Sequence, residues 1–175
     1  MNYAERYNSL KIYSGLSQRQ KTLCLALSPF RSAFYYEFSN FKSYLLPILG
    51  EDQEGLEAEL YNLLYKGLEE GWCQKIAVDY AFMSLLPQLR FFLRQQLDLL
   101  ENTILKQKVK SSFKAYYLDM ALEMNGLIRS EQPESFQMAI SILDLEHINL
   151  MQVVMQLAKD DENLPLFLST LRPYF

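Results

Sequence analysis

Two adjoining segments decide the fold: GLEAELYNLLYKGLEEGW, residues 55–72, and CQKIAVDYAFMSLLPQLRFFLRQQL, residues 73–97. In the first segment, leucines recur at i, i+4, i+7, i+8 and i+12, the spacing of one apolar face of a helix. These residues are Leu56, Leu60, Leu63, Leu64 and Leu68. Gly67 and Gly71, with the pair Glu69–Glu70 between them, predict that this helix stops near residue 71.

A hairpin and a further helix are predicted after that stop. Residues Trp72–Ile76 and Val78–Met83 have the pattern of two strands, and Leu85–Leu97 returns to helical periodicity. Helix, hairpin and helix in this order are typical of a winged-helix domain. We therefore expect a mainly α fold: a winged-helix domain with a short β-hairpin wing, followed by an antiparallel helical segment.

The rest of the chain is predicted to fall on either side of this domain. Residues 1–15 have weak periodicity and are expected to form an N-terminal arm or a short helix. Residues 16–97 form the winged-helix domain, with Ser17 as the N-cap of its first helix. Residues 98–175 are expected to form a helical domain, because paired helices joined by short polar turns are how repeat arrays begin.

Composition narrows the class of protein. The chain has 175 residues, half of them apolar, and a formal net charge of -4. A chain of this charge has no overall electrostatic attraction to nucleic acid. Cys24 and Cys73 are predicted to be free buried thiols of a reducing compartment. With no leader and no apolar run of the ~20 residues that a membrane span needs, we expect a cytoplasmic protein without a membrane partner.

No recognised catalytic or cofactor motif is present. The sequence has no phosphate-binding loop, no dinucleotide fingerprint, no HExxH and no paired CxxC. Its single histidine, His147, has no companions spaced for a metal site, and is expected to form a hydrogen bond at a helix junction. We therefore predict no enzyme activity, no cofactor and no bound metal.

DNA binding is the main alternative, since many winged helices read the major groove with their third helix. Here that helix and the loop before it carry a single base, Lys66, and the wing adds only Lys75. Because duplex DNA carries one negative charge per ~1.7 Å, this helix should be repelled. The acidic residues of the segment are Glu51, Asp52, Glu54, Glu57, Glu59, Glu69 and Glu70.

Several segments resemble the winged-helix domain that follows the nucleotide-binding module in STAND signalling ATPases of the NB-ARC type. They are LSQRQKTLCLALSPFRSAF (16–34), LEAELYNLLYKGLEEGW (56–72) and YAFMSLLPQLRFFLRQQL (80–97). Within the second, Leu60, Leu64, Gly67 and Leu68 match the family's leucine-rich third helix. The segment from Leu145 is similar to the helix pair that opens the tetratricopeptide-like sensor region of bacterial members, through Glu146, Asn149 and Leu150.

The resemblance implies a switch component that packs on a nucleotide module. Family members usually carry a histidine at the end of the wing that contacts the β-phosphate of ADP. Aligned on Tyr80 and Phe82, that position is Met83 here, and a thioether cannot donate a strong hydrogen bond to phosphate. The missing phosphate loop and the stop at Phe175 favour a fragment of a longer protein.

The expected function is therefore regulatory: a non-catalytic, protein-binding part of a STAND-type ATPase, with its own nucleotide module, an effector or a second copy as partner. We place the partner surface on exposed aromatics of Ser112–Ile128, namely Tyr116 and Tyr117, for which core packing is the alternative. It is expected to include the faces of Leu145–Leu171 that the missing repeats leave bare. Arg90 and Arg94 are candidates for contact with an acidic neighbour, or else lie on a solvated face. A DNA-binding regulator and a free-standing helical adaptor or chaperone remain the alternative functions.

Overall fold

The computed structural model describes residues 3–50, 55–76, 81–100, 103–158 and 163–174. Within these ranges the chain forms eight helices and three short strands, which confirms the prediction of a mainly α fold. The chain divides into two compact units, Met1–Ser112 and Phe113–Phe175. That division falls between residues 112 and 113, whereas the sequence predicts a domain boundary between 97 and 98.

The helices and strands follow one another in a simple order. Up to the end of the hairpin they are α1 (Tyr3–Ser14), α2 (Gln18–Leu27), β1 (Phe34–Tyr35), α3 (Phe38–Leu49), α4 (Leu56–Glu69), β2 (Cys73–Lys75) and β3 (Phe82–Leu85). Four helices follow: α5 (Pro87–Leu99), α6 (Thr103–Ile128), α7 (Pro133–Leu157) and α8 (Leu164–Leu171). The predicted order of helix, hairpin and helix is present as α4, β2, β3 and α5.

The three strands form one antiparallel sheet in the order β1-β3-β2. The predicted hairpin is present, but its second strand is displaced: Val78–Tyr80 lie outside the described residues, and β3 runs to Leu85. Leu85 pairs with Cys73 instead of opening the next helix. The reason lies at Pro87, which occupies the first turn of α5, where its missing N–H leaves no donor unsatisfied.

The two glycines at the end of α4 have different roles. Gly71 has φ +74°, a left-handed conformation that glycine adopts without strain, and α4 ends at Glu69 as expected. Gly67, in contrast, lies inside the helix and is buried. A Cβ atom there would stand 2.7 Å from the Cβ of Cys73 and 2.8 Å from the ring of Trp72. Gly67 therefore does not mark the end of the helix as Gly71 does; its missing side chain lets α4 pack closely on β2.

The first unit has an aromatic core built between α2, β1 and α3. The ring of Phe30 lies 5.4 Å from Phe34, 5.6 Å from Phe41 and 5.2 Å from Tyr44, centroid to centroid. All four side chains are buried. The hydroxyl of Tyr44 donates to the carbonyl of Ala26, so the one polar atom of the cluster is satisfied inside α2.

Local signals set the ends of several helices. Ser17 caps α2 as predicted: its side chain accepts from the N–H of Gln20, and the side chain of Gln20 accepts from the N–H of Ser17. Pro133 is predicted from the sequence to occupy a first helical position, where its missing N–H leaves no donor unpaired, and it stands at the start of α7. For Glu134–Leu143 and Leu145–Lys159 the sequence predicts either two helices or one long helix with a bend; the structure has one continuous helix, Pro133–Leu157.

The second unit contains one helix that is long and apolar enough to cross a membrane, α7, judged by length and composition alone. A buried core helix of a water-soluble protein passes the same test. Two polar residues near its middle, Glu146 and Asn149, are fully buried and hydrogen-bonded to each other. Such pairing satisfies polar groups in the interior of a helical unit.

Candidate protein-interaction surface

Helix α4 presents two contrasting faces. Its leucines Leu56, Leu60, Leu63 and Leu64 are buried, as the apolar stripe predicts. On the other side Ala58, Asn62, Tyr65 and Glu69 follow one another at i, i+4, i+7 and i+11, and all four are exposed. The ring of Tyr65 is 64 % exposed, a large area for an aromatic side chain. We call these four residues, with Glu57 and Tyr61, the outer face of α4.

The outer face of α4 is acidic. Two basic side chains near α4 pair with other acids: Arg19 Nε lies 2.6 Å from Glu59 Oε2, and Lys66 Nζ lies 3.8 Å from Glu70 Oε1. In the described part of the chain, neither Glu57 nor Glu69 forms an ion pair. The face therefore presents negative charge to any approaching molecule.

Aromatic rings continue the surface beside these carboxylates. Tyr61 is partly exposed, and its ring meets that of Tyr36 edge to face, at 6.3 Å and 85°. Together with Tyr65, these side chains combine apolar ring area with hydroxyl groups. Such residues are enriched at protein interfaces because they bury a large area with few rotatable bonds.

The prediction that Tyr116 and Tyr117 of α6 are exposed aromatics of a partner surface is wrong. Tyr116 is 5 % exposed and Tyr117 is fully buried. The hydroxyl of Tyr117 donates to Glu146 Oε2 at 2.6 Å, and Asn149 Nδ2 donates to the same oxygen at 2.6 Å. The pKa of Tyr117 is raised well above its usual value, mainly by burial and to a smaller extent by the carboxylate of Glu146. Both rings belong to the core of the second unit, which is the alternative that the sequence left open.

Arg90 and Arg94 lie close together, but they contact backbone carbonyl groups instead of an acidic side chain, and they do not lie on a fully solvated face. Both side chains are partly buried. Arg94 Nε donates to the carbonyl of Ser28 at 2.9 Å, and Arg90 Nη1 donates to the carbonyl of Arg31. Burial lowers the pKa of both guanidinium groups. They join α5 to the segment that follows α2, which corrects both sequence-based interpretations.

Met83, which the resemblance aligns with a nucleotide-contacting histidine, is a buried residue of the central strand. It pairs with Phe34 on one side and Lys75 on the other. Its sulfur lies 3.7 Å from the thiol of Cys73. Cys73 and Cys24 are both free and buried, as predicted.

His147 lies on the exposed side of α7. Its Nδ1 is 3.4 Å from the hydroxyl of Tyr174, and that hydroxyl donates to Asp144 Oδ1 at 2.9 Å. Burial, followed by this hydrogen bond, raises the pKa of Tyr174 to about 12. Among the residues that the structure describes, no group of three or more His, Cys, Asp or Glu side chains could hold a metal ion.

Comparison of the chain with known protein families, curated proteins and solved structures finds no match. The resemblance to STAND signalling ATPases therefore stays a prediction.

The outer face of α4 can be inferred from the same helical periodicity that defines its leucine stripe. Once Leu60 and Leu64 are placed inward, the helical period places Tyr65 and Glu69 on the opposite side. Arg31 was also missed, because nothing local links it to Arg90 and Arg94, about sixty positions further along the chain.

Proposed function

We propose that this chain is a non-catalytic regulatory domain that binds other proteins through the outer face of α4. One observation carries the proposal: the exposed ring of Tyr65 and the exposed carboxylates of Glu57 and Glu69 lie on the same helix. Within the described residues, neither carboxylate has a cationic partner. An exposed aromatic rimmed by acids favours a protein partner with a basic surface segment, since arginine both stacks on tyrosine and pairs with carboxylates.

The same face disfavours the DNA-binding alternative. In groove-reading winged helices, the helix before the wing approaches phosphates, so its surface must be basic. Here the one lysine of α4, Lys66, is paired with Glu70, and Lys75 is the exposed base of β2. A duplex would meet uncompensated carboxylates at this helix.

The family resemblance gives the proposal a mechanism. In a STAND-type protein, a winged-helix domain contacts the nucleotide module, and loss of that contact accompanies activation. The order of elements from α2 to α5 and the three quoted segments support this assignment. A partner that binds the outer face of α4 would then bias the equilibrium between the closed and open states.

Photo-crosslinking in the host cell tests the partner class. A benzophenone amino acid replaces Tyr65 in one variant and Tyr7, which is 59 % exposed on α1, in a matched control. Proteins captured at residue 65 but not at residue 7 are identified, purified and titrated against the wild-type chain. We expect binding that weakens with salt and is lost in the charge-reversed double variant E57K/E69K. Partners that bind wild type and double variant equally would contradict the proposal.

Titration of a labelled DNA duplex at low salt tests the alternative. We expect no change in fluorescence anisotropy, because the exposed acids of α4 repel the phosphates. Salt-dependent binding that weakens in K66E and K75E would instead establish a DNA-binding regulator. The substitution K108E, on an exposed lysine of α6, serves as the control for a general change of charge.

A further inference from the structure

We propose that Arg90 and Arg94 of α5, together with the positive charge of Arg31, form a binding site for the phosphate group of a small molecule. This site is separate from the outer face of α4, and it does not depend on the proposed function. The sequence marks Arg90 and Arg94 as candidates for contact with an acidic group, but it does not link them to Arg31, which lies in the segment after α2.

The two arginines enter the site one helical turn apart, at positions i and i+4 of α5. The backbone orients them: Ser28 and Arg31 supply the carbonyl oxygens that accept from Arg94 and Arg90. These contacts use one N–H of each guanidinium, which has five. Both side chains remain partly exposed to solvent.

Arg31, Arg90 and Arg94 bring three positive charges close together. Within the described chain, neither Arg90 nor Arg94 forms an ion pair with a carboxylate. The pKa of Arg94 is lowered by burial, and further by the positive charges of Arg31 and Arg90, so the three groups are close enough to repel one another. Like charges held together at a partly buried position favour an anion between them.

Two buried polar atoms beside the arginines have no partner among the protein groups described. One is Nε of Arg90, and the other is the hydroxyl oxygen of Ser28, a fully buried residue whose own carbonyl accepts from Arg94. Buried polar groups are nearly always hydrogen-bonded. The cluster thus offers more donors than the chain supplies acceptors, and an oxyanion supplies acceptors.

Charge and shape select phosphate among oxyanions. A phosphate dianion balances the two guanidinium charges of Arg90 and Arg94, and its tetrahedral oxygens can accept a pair of bonds from each planar fork. A carboxylate has one charge and two oxygens, which suffice for one arginine. The site is therefore expected to prefer phosphate over acetate.

Phosphorus NMR provides a direct test on the full chain. We expect the signal of inorganic phosphate to broaden on addition of the wild-type protein, and glycerol phosphate to behave alike if the site accepts a monoester. Broadening should be lost in R94Q and in R31Q. R31Q changes an exposed side chain, so it should keep its fold. K108Q removes an equal charge from an exposed position of α6 and should broaden the signal as the wild type does.

Thermal unfolding gives a second measurement. At constant ionic strength, phosphate should raise the melting temperature of wild type and K108Q in a saturable way, while chloride and acetate should not. Equal broadening by wild type, R94Q and R31Q, or an equal rise of melting temperature in acetate, would overturn the proposal. If R94Q fails to fold, the comparison of R31Q with K108Q decides.

Discussion

The two compact units have cores of different chemistry. In the first, four buried rings pack against one another, and their one hydroxyl bonds within the cluster's own helices. In the second, Tyr117, Glu146 and Asn149 form a hydrogen-bonded network between α6 and α7, with Glu146 and Asn149 fully buried. The first core is specified by the volume and shape of its side chains. The second core is specified in addition by hydrogen bonds between particular polar atoms.

This difference predicts how each core fails. Apolar packing loses free energy in proportion to the contacts removed and the cavity left behind. A buried polar network loses little when both partners are replaced together, but much when one partner leaves another unsatisfied. Substitutions that remove single atoms can therefore separate the two cases.

The largest effect is expected from Phe30→Ala in the first core. Phe30 contacts Phe34, Phe41 and Tyr44, and removal of a buried ring of this kind costs about 3–5 kcal/mol of the free energy of unfolding. Fluorescence of Trp72, the only tryptophan of the chain and part of this unit, follows unfolding in denaturant. Phe91→Ala, on an exposed ring of α5, is the control and should change stability by less than about 0.5 kcal/mol.

Next in size is Gly67→Ala, expected to destabilise by about 3 kcal/mol, the upper end for overpacking. The added carbon would lie 2.7 Å from the Cβ of Cys73, a backbone-fixed atom that cannot rotate away. Gly126→Ala in α6 is the matched control, because open space surrounds that position. There the helix should gain about 0.5–1 kcal/mol. Urea titrations of both variants measure the contrast, and loss of stability at both positions would refute the steric argument.

In the second core, Tyr117→Phe should cost about 2 kcal/mol, because it deletes a donor to a buried carboxylate oxygen and leaves the ring in place. Circular dichroism during denaturant unfolding measures the loss. Tyr65→Phe deletes an exposed hydroxyl from α4 and should leave stability unchanged. A stability equal to wild type in Tyr117→Phe would mean that shape alone specifies this core too.

The features that the sequence predicted correctly are local ones. The leucine stripe of α4, the cap at Ser17, the turn at Gly71 and the start of α7 at Pro133 each depend on residues a few positions apart. Secondary structure set by such short-range contacts can be inferred from spacing alone.

The failures all concern contacts between distant parts of the chain. Helical periodicity marks Tyr117 as buried or as interface without distinguishing the two, and only Glu146, twenty-nine positions away, decides. Arg94 looked solvated because its acceptor, Ser28, is sixty-six positions away. The outer face of α4 follows from the same periodicity that predicted its core face, and could have been inferred in full.

The smallest predicted effect is a dependence of the free energy of unfolding on pH. It concerns the first unit alone, because both cysteines lie there. Burial, then the charge of Cys73, raise the pKa of Cys24 from 9.0 to about 12, and burial raises that of Cys73 to about 11. The folded chain thus keeps both protons at a pH where the unfolded chain loses them. This stability is complete below pH 9 and declines as pH rises toward the folded values.

The free energy of unfolding at pH 9 should be lower than at pH 7 by about 0.4 kcal/mol for each thiol, or about 0.8 kcal/mol for both. The decrease should become steeper above pH 9. Denaturant unfolding followed by Trp72 fluorescence at both pH values measures it. The double variant C24A/C73A is less stable at every pH, since it leaves small cavities, but it should lack this part of the pH dependence. An unchanged slope in that variant would show that other groups titrate in its place. If the difference between pH 7 and pH 9 vanishes in that variant, the alkaline loss of stability is assigned to the two buried thiols.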